Sequence, residues 1–253
     1  MELTANADRG PVGVTTTAGR ERLVPGLFAG ERARVRIVHV GKRQAQGKLL
    51  EVLTPHAKRR IAPCVRQDVC TGCPRMTLTP DGQRQVAQGE LAELGIVPDR
   101  WARGDATLGY RWSAKRVVSG RVGAVVLGSY KRGSHHVADM RGCRVDHPAI
   151  TAAADQIAET ASALAIEPYD EASGNGDLRY VWLKANHAGQ VLVTLVSGNA
   201  SATRAPELGA ALADVAGVAW CTQEGSGNRQ RGRAAEHIAG LAELPVRIAD
   251  VDV

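Results

Sequence analysis

The sequence has few aromatic residues and no long uncharged apolar run. Nine of its 253 residues are aromatic, and Phe occurs once. A membrane-spanning helix needs roughly 18 consecutive apolar residues, and no segment approaches that length. The first ten residues, MELTANADRG, also lack the apolar stretch of a secretory signal. We therefore expect a cytoplasmic protein with no membrane partner.

Cysteine is scarce as well. Five cysteines are too few for a disulfide scaffold in a chain of this length. An odd number in a reducing compartment indicates metal ligation, catalysis or burial as inert thiols. Cys221 follows Trp220 in an apolar stretch, which is typical of a core thiol.

The other four cysteines have the spacing of a metal site. They follow the pattern Cys64-x5-Cys70-x2-Cys73, with Cys143 far along the chain. Four sulfur ligands without histidine suit zinc or an iron–sulfur cluster. Three clustered cysteines plus a remote one, with Pro74 after the third, favour a four-iron cluster. Structural zinc and buried thiols that bind nothing are the alternatives.

Acidic residues are scarce in the first part of the chain. Residues 1–145 hold 25 Lys and Arg against 12 Asp and Glu, whereas residues 146–253 hold 7 against 14. Of the 32 cationic residues 26 are Arg, whose planar fork binds phosphate and stacks on bases. This distribution favours nucleic-acid binding by the basic part, although base composition of the genome alone also enriches Arg.

Alternation of apolar and polar residues predicts a small β module at residues 1–62. In the run 31–40, Arg32, Arg34 and Arg36 fall on one face and apolar residues on the other. A second strand is predicted at 45–53, after a turn that contains Lys42 and Arg43. Short strands with a basic face suggest an oligonucleotide-binding type of barrel.

Residues 63–253 are predicted to form the cysteine turn at 63–75 and a central domain of strands and helices. The elements expected there are helices at 82–95, 148–165 and 206–216, and strands at 110–118, 122–130, 137–140, 178–185, 191–196, 218–223 and 244–253.

The order of these parts resembles the RNA uracil-5-methyltransferases that modify ribosomal and transfer RNA. Residues 23–37 and 47–53 resemble a TRAM domain, a small RNA-binding β-barrel, and residues 109–116 and 128–143 resemble family segments near the cysteines. The resemblance implies that Cys64, Cys70, Cys73 and Cys143 bind a 4Fe–4S cluster. It also implies RNA binding by the cationic residues Arg32, Arg34, Arg36, Lys42 and Arg43.

The expected fold class is therefore α+β, with a TRAM-like barrel at 1–62 and an iron–sulfur and mixed α/β central domain at 63–253. In the family a Rossmann-like methyltransferase domain follows, with sites for S-adenosylmethionine and a catalytic cysteine. We find no such segment and expect no Rossmann-like domain in this chain. No catalytic or S-adenosylmethionine-binding residue is assigned.

The resulting hypothesis is the RNA-binding, iron–sulfur portion of a uracil-5-methyltransferase, truncated or split and not catalytic alone. S-adenosylmethionine would be a cofactor only if a separately encoded methyltransferase domain supplied its site. The alternative hypothesis is a stand-alone RNA-binding iron–sulfur or zinc protein without enzymatic activity.

Overall fold

The computed structural model describes residues 1–9, 12–17, 20–70, 72–102, 104, 106–131, 134–225, 232, 234–248 and 251–252. The chain divides into two compact units, Met1–Asp105 and Ala106–Val253. The division into domains at 62 and 63 stays a prediction. None of the helices in the described residues is long and apolar enough to cross a membrane.

Within the described part of the first unit there are a six-stranded mixed sheet and one helix. Its elements are β1 Glu2–Thr4, β2 Ala7–Arg9, β3 Val12–Thr17, β4 Arg20–Pro25, β5 Arg32–Val40, β6 Gln44–Thr54 and α1 Pro80–Glu93. The strand order is β1-β5-β6-β4-β3-β2. The β4–β6 pair is parallel, and the other pairs are antiparallel.

Two small apolar clusters hold this unit together. Val24, Leu27 and Val35 belong to the cluster between the strands. Phe28 packs with Leu78 and with Val86 of α1 in the second cluster. The helix begins where Thr79 accepts a hydrogen bond from the backbone N–H of Gly82 at 3.2 Å, the usual role of an N-cap threonine.

A buried ion pair joins the sheet to the segment after β6. The Glu31 side chain is fully buried and accepts hydrogen bonds from Arg59 Nε at 2.5 Å and Arg59 Nη2 at 2.6 Å. Backbone N–H groups of Phe28 and His56 also donate to it, each at 2.9 Å. Burial acts to raise the pKa of Glu31, but these hydrogen bonds outweigh it and leave the pKa below its ordinary value.

The described residues of the second unit form a seven-stranded mixed sheet, two helices and a short hairpin. Its elements are β7 Ser113–Arg121, β8 Ala124–Tyr130, β9 Val137–Asp139, α2 Pro148–Ala163, β10 Leu178–Ala185, β11 Val191–Ser197, α3 Ala205–Ala210, β12 Gly217–Thr222, β13 Glu236–Gly240, β14 Arg247–Ile248 and β15 Val251–Asp252. The strand order of the large sheet is β13-β12-β11-β10-β7-β8-β9.

The main core of this unit lies between one face of the sheet and the helices. Ile150 and Ile157 of α2 pack with Val181, Leu183 and Val193 of the central strands, and all five are buried. The β11–β12 pair is parallel and is connected through α3, whereas the other pairs are antiparallel. A parallel pair needs such a crossover because a tight turn cannot join its strands.

The predicted fold class was wrong. We expected an α+β chain in which a TRAM-like, OB-like barrel precedes an iron–sulfur loop and a mixed α/β domain. The described residues instead form two mixed sheets with few helices. The physical reason is that strands of three residues, such as β1 and β2, are too short to show a clear alternation of apolar and polar residues. Their pairing could therefore not be predicted from the sequence. These two strands lie at opposite ends of the first sheet's order.

Candidate functional sites

Strand β5 presents the predicted arginines on its exposed face. Arg32, Arg34 and Arg36 are exposed and alternate with buried Ala33 and Val35. This follows from the two-residue period of a strand, which sends successive side chains to opposite faces. The sequence prediction of the strand's position and of its exposed arginines is therefore confirmed, while RNA binding by these residues stays a prediction.

Acidic residues from neighbouring strands neutralise part of this face. Arg34 forms an ion pair with Glu51 at 2.6 Å. Glu2 lies 3.9 Å from both Arg32 and Arg34. Two of the three arginines thus face carboxylates that sequence reasoning did not place beside them, because Glu2 and Glu51 belong to other strands.

The cationic residues towards the β5–β6 turn are different. Arg36 faces Lys48 across the two strands, and Lys42 and Arg43 lie in the turn, all of them exposed. Within the described ranges, none of these four makes an ion pair. We call Arg36, Lys42, Arg43 and Lys48 the turn cluster; it carries positive charge that no ion pair among the described residues compensates.

Cys64, Cys70 and Cys73 lie in a loop that is closed at its base. Arg59 and Leu78 form an antiparallel bridge at the base, and the Arg60 N–H donates to the Thr77 carbonyl at 2.7 Å. The described residues inside the loop form turns and no helix or strand. All three thiols are half-buried and free of disulfides.

Cys143 lies in the second unit, in the turn that follows β9. The Arg141 N–H donates to Asp139 Oδ1 at 2.8 Å, and Thr151 Oγ1 donates to the Cys143 carbonyl at 3.4 Å. The thiol is half-buried and free. The turn therefore connects the edge of the sheet to the start of α2.

The donor chemistry of the four cysteines suits a metal. Nowhere in the described ranges do three or more His, Cys, Asp or Glu side chains form a group that could hold an ion. We therefore derive no chemistry through a metal. Cys221 is buried beside Val196 and Tyr180, which confirms it as a core thiol, and burial raises its pKa.

A buried ion pair that sequence reasoning missed fixes the segment after Cys143. Arg116 of β7 is 3% exposed and donates to fully buried Asp146 Oδ2. Arg111 lies 3.7 Å from the other carboxylate oxygen. The N–H of Arg111 donates to the Val145 carbonyl at 2.9 Å, so this segment runs along the approach to β7. Its sequence signal was the position of Arg116 between core residues Ala114 and Val118.

A second polar cluster surrounds Glu171. Its Oε1 accepts hydrogen bonds from the Tyr180 hydroxyl at 2.7 Å and from Arg179 Nη2 at 3.3 Å. Burial acts to raise the pKa of Glu171, but hydrogen bonds from Tyr180, Tyr130 and Arg179 leave it lowered. Burial and the same carboxylate raise the pKa of Tyr130. The cluster is a fixed network that holds Glu171 ionised, and sequence reasoning had no signal for it.

Comparison of the sequence with known proteins gives relatives that are named as RNA methyltransferases. An uncharacterized RNA methyltransferase of Geobacter sulfurreducens is 34% identical over 196 residues, which are 72% of this chain and 39% of that protein. One from Nostoc sp. is 31% identical over 73% of this chain and 42% of its own length. The chain thus spans about two fifths of these relatives. No protein-family model matches it.

The fold also has a close counterpart among solved structures. The Pyrococcus abyssi tRNA (uracil-54, C5)-methyltransferase in complex with S-adenosyl-L-homocysteine aligns with a TM-score of 0.75 and 18% identity. The alignment covers 98% of this chain and 58% of that one. At this identity the likeness concerns the fold.

This alignment corrects the remaining part of the fold-class prediction. We expected no Rossmann-like domain, but 98% of the chain aligns with a methyltransferase fold, and that expectation is overturned. The expectation relied on the lack of short sequence motifs. Loops carry such motifs, and a fold can form without them. The chain is similar in sequence to RNA methyltransferases and similar in fold to a tRNA methyltransferase.

Proposed function

We propose that the chain acts in the S-adenosylmethionine-dependent methylation of RNA uracil at C5. The observation that carries the proposal is the 34% identity to an RNA methyltransferase over 72% of the chain. The shared fold with a tRNA uracil-C5 methyltransferase supports the choice of base and of methyl donor. In this reaction the methyl group leaves the sulfonium sulfur, replaces the C5 proton of uracil, and S-adenosylhomocysteine remains.

The proposal predicts 5-methyluridine in RNA, and measuring this modification tests it. Deleting the gene in its host should abolish 5-methyluridine at one or more positions of ribosomal or transfer RNA, measured by mass spectrometry of nuclease digests. Re-expression of the wild-type gene should restore it. An unchanged 5-methyluridine content at every position in the deletion strain would overturn the proposed function. The comparisons do not favour a stand-alone RNA-binding protein.

The first unit would contribute RNA binding through Arg32, Arg34, Arg36, Lys42 and Arg43. The turn cluster supports this role because its charges are not neutralised by carboxylates among the described residues. Phosphate attraction depends on net positive charge and weakens as salt rises. We therefore assign the larger share of RNA attraction to the turn cluster and a smaller one to Arg32 and Arg34.

Replacing Arg36 and Arg43 together by Gln should weaken RNA binding and lower the slope of log Kd against log salt by about 1 to 2, because each lost phosphate contact removes about one unit. Fluorescence anisotropy with a labelled RNA measures both quantities. The matched control is the Arg32→Gln/Arg34→Gln variant, which should lose less affinity. Equal losses in the two variants would contradict the role of the turn cluster.

Cys64, Cys70, Cys73 and Cys143 remain proposed ligands of a 4Fe–4S cluster. Their support is the donor set of four thiols and a loop with a closed base, whose described interior residues form neither helix nor strand. Thiolate ligation would contribute folding free energy to the protein.

The Cys143→Ser variant should lose iron and the visible absorbance of the cluster when purified without oxygen, as measured by metal analysis and absorption spectroscopy. Cys221→Ser is the matched control, since Cys221 is buried in β12 outside the pattern, and it should keep the metal. A colourless wild-type protein containing zinc would exclude the iron–sulfur cluster. A metal-free wild-type protein would exclude both sites.

A further inference from the structure

The large sheet of the second unit has one face that the helices leave uncovered. Val181, Leu183 and Val193 point to the helices, so the alternate residues of the same strands lie on the opposite face. One end of that face is closed by a buried cluster that contains Val117 and Tyr180. The other end is accessible to solvent.

Strand register defines a row of side chains across this accessible end. Lys115 of β7 pairs with Trp182 of β10, which pairs in turn with Thr194 of β11. The row continues to Ala219 of β12 and His237 of β13. Lys115 and His237 are exposed, and the three residues between them are half-buried. A large aromatic ring therefore lies beside short side chains on an accessible surface.

The neighbouring row adds a second cation. It runs from Ser113 through Lys184 and Leu192 to Gly217 and Gly240, and Lys184 is exposed. Neither row contains Asp or Glu. Two lysines therefore neighbour the Trp182 ring, Lys115 across to β7 and Lys184 along β10, although the second unit as a whole holds as many acidic as basic residues.

The solvent-accessible part of the Trp182 side chain is apolar. Its Nε1 is buried and has no hydrogen-bond partner in the part of the chain that the structure describes, so the accessible part of the indole is apolar ring. Lys115 Nζ lies 4.5 Å from the ring centroid. The attraction between a cation and an exposed aromatic ring is weaker than the stacking of a nucleobase on that ring. A base can therefore displace the Lys115 ammonium group from the ring, and the ammonium group can then bind a phosphate.

We propose that this face binds single-stranded RNA, with a base stacked on Trp182 and phosphates held by Lys115 and Lys184. Several RNA-binding domains hold unpaired bases on a sheet that presents aromatic rings beside cationic side chains. The absence of carboxylates from both rows favours a polyanion over a protein segment. The inference rests on the proposed function only for the choice of RNA as ligand.

Anisotropy titration of the full chain with a fluorescein-labelled oligouridine tests the stacking contact. Trp182→Leu should raise Kd about tenfold, the loss expected for one stacked base, whereas Trp182→Phe should stay close to wild type. The matched control is Trp112→Leu, which removes an exposed tryptophan that stacks on His147, with ring centroids 4.3 Å apart. That control should leave Kd unchanged.

The lysines are tested in the same assay. Lys115→Gln/Lys184→Gln should weaken binding and lower the salt slope by about 2, whereas Lys131→Gln, at an exposed lysine between β8 and β9, should not. Photo-crosslinking of the wild-type protein to a 4-thiouridine oligonucleotide supplies a readout that does not depend on variant folding. Crosslinks should map to peptides from β10 or β11.

Two results would overturn the inference. One is a Kd for folded Trp182→Leu equal to wild type, and the other is crosslinks confined to the first unit. Both can occur while deletion of the gene still abolishes 5-methyluridine, in which case the proposed function stands and this face has no part in RNA binding. If the Trp182 substitution changes self-association while Kd stays at the wild-type value, the first of these results applies and the face is assigned to a protein partner.

Discussion

Replacing Arg59 by Met should lower the free energy of unfolding of the first unit by about 3–5 kcal/mol, the cost of removing one partner from a buried ion pair. Glu31 is fully buried, so its carboxylate would remain charged without the guanidinium that compensates it. Arg59 also donates to the Gly26 carbonyl at 2.7 Å and lies over the Phe28 ring. Hydrogen exchange of peptides from residues 20–62 measures the loss.

The pH dependence of this loss has a defined sign. In the wild-type protein the pKa of Glu31 is below its ordinary value of 4.5, so its stabilising contribution is present above about pH 4.5 and decreases as the pH falls through the lowered pKa. In the Arg59→Met variant burial should raise the pKa instead. The difference in stability between variant and wild type should therefore shrink as the pH falls from 7 towards 4.5.

Arg9→Met is the matched control for this substitution. Arg9 makes the same two-pronged contact with Glu21, at 2.7 and 2.9 Å, but on the protein surface. Water and salt screen such pairs, so hydrogen exchange in the same peptides should hardly change. Comparable losses in the two variants would mean that burial of the carboxylate is not the source of the effect.

Replacing Asp146 by Ala should cost the second unit a similar amount, about 3–5 kcal/mol. The Arg116 side chain is 3% exposed and would lose the carboxylate to which it donates. Urea unfolding followed by tryptophan fluorescence reports on this unit, since Trp112, Trp182 and Trp220 belong to it. The turn with Cys143 should also exchange its backbone hydrogens faster in the variant.

A double variant separates loss of the pair from loss of packing. Arg116→Met combined with Asp146→Leu removes both charges and should recover most of the stability, because apolar replacement of a buried pair is often neutral. Glu207→Ala, which breaks the exposed pair with Arg204, should have little effect. A double variant as unstable as Asp146→Ala would show that shape, and not the unpaired charge, sets the cost.

Elements with a strong periodic pattern were predictable from the sequence. The strand predicted at 178–185 has the observed bounds of β10, and the helix predicted at 148–165 corresponds to Pro148–Ala163. Their apolar residues repeat at the strand or helix period because one face of each is buried. Strand β13, Glu236–Gly240, was missed because it lies at the edge of its sheet with mostly exposed residues.

The candidate sites were only partly predictable, for a different reason. The exposure of Arg34 follows from local alternation, but its pairing with Glu51 depends on register between two strands. The pairing of Arg116 with Asp146 likewise joins residues 30 positions apart. Local patterns give the direction of a side chain. Its partners come from tertiary structure, and these partners determine which cations are left without an ion pair.

The closed base of the cysteine loop separates the constraints on the length of the loop from those on the folded core. Hydrogen bonds at Arg60 and Thr77 and the packing of Leu78 against Phe28 hold the two ends of the loop together. The number of residues between those ends is then nearly free, since doubling a flexible loop costs only about 0.6 kcal/mol in closure entropy. A change of length outside the cysteine pattern at 64–73 should therefore leave the folded core unaffected, so the spacing of the proposed ligands, and not the supporting sheet, limits the length of the loop.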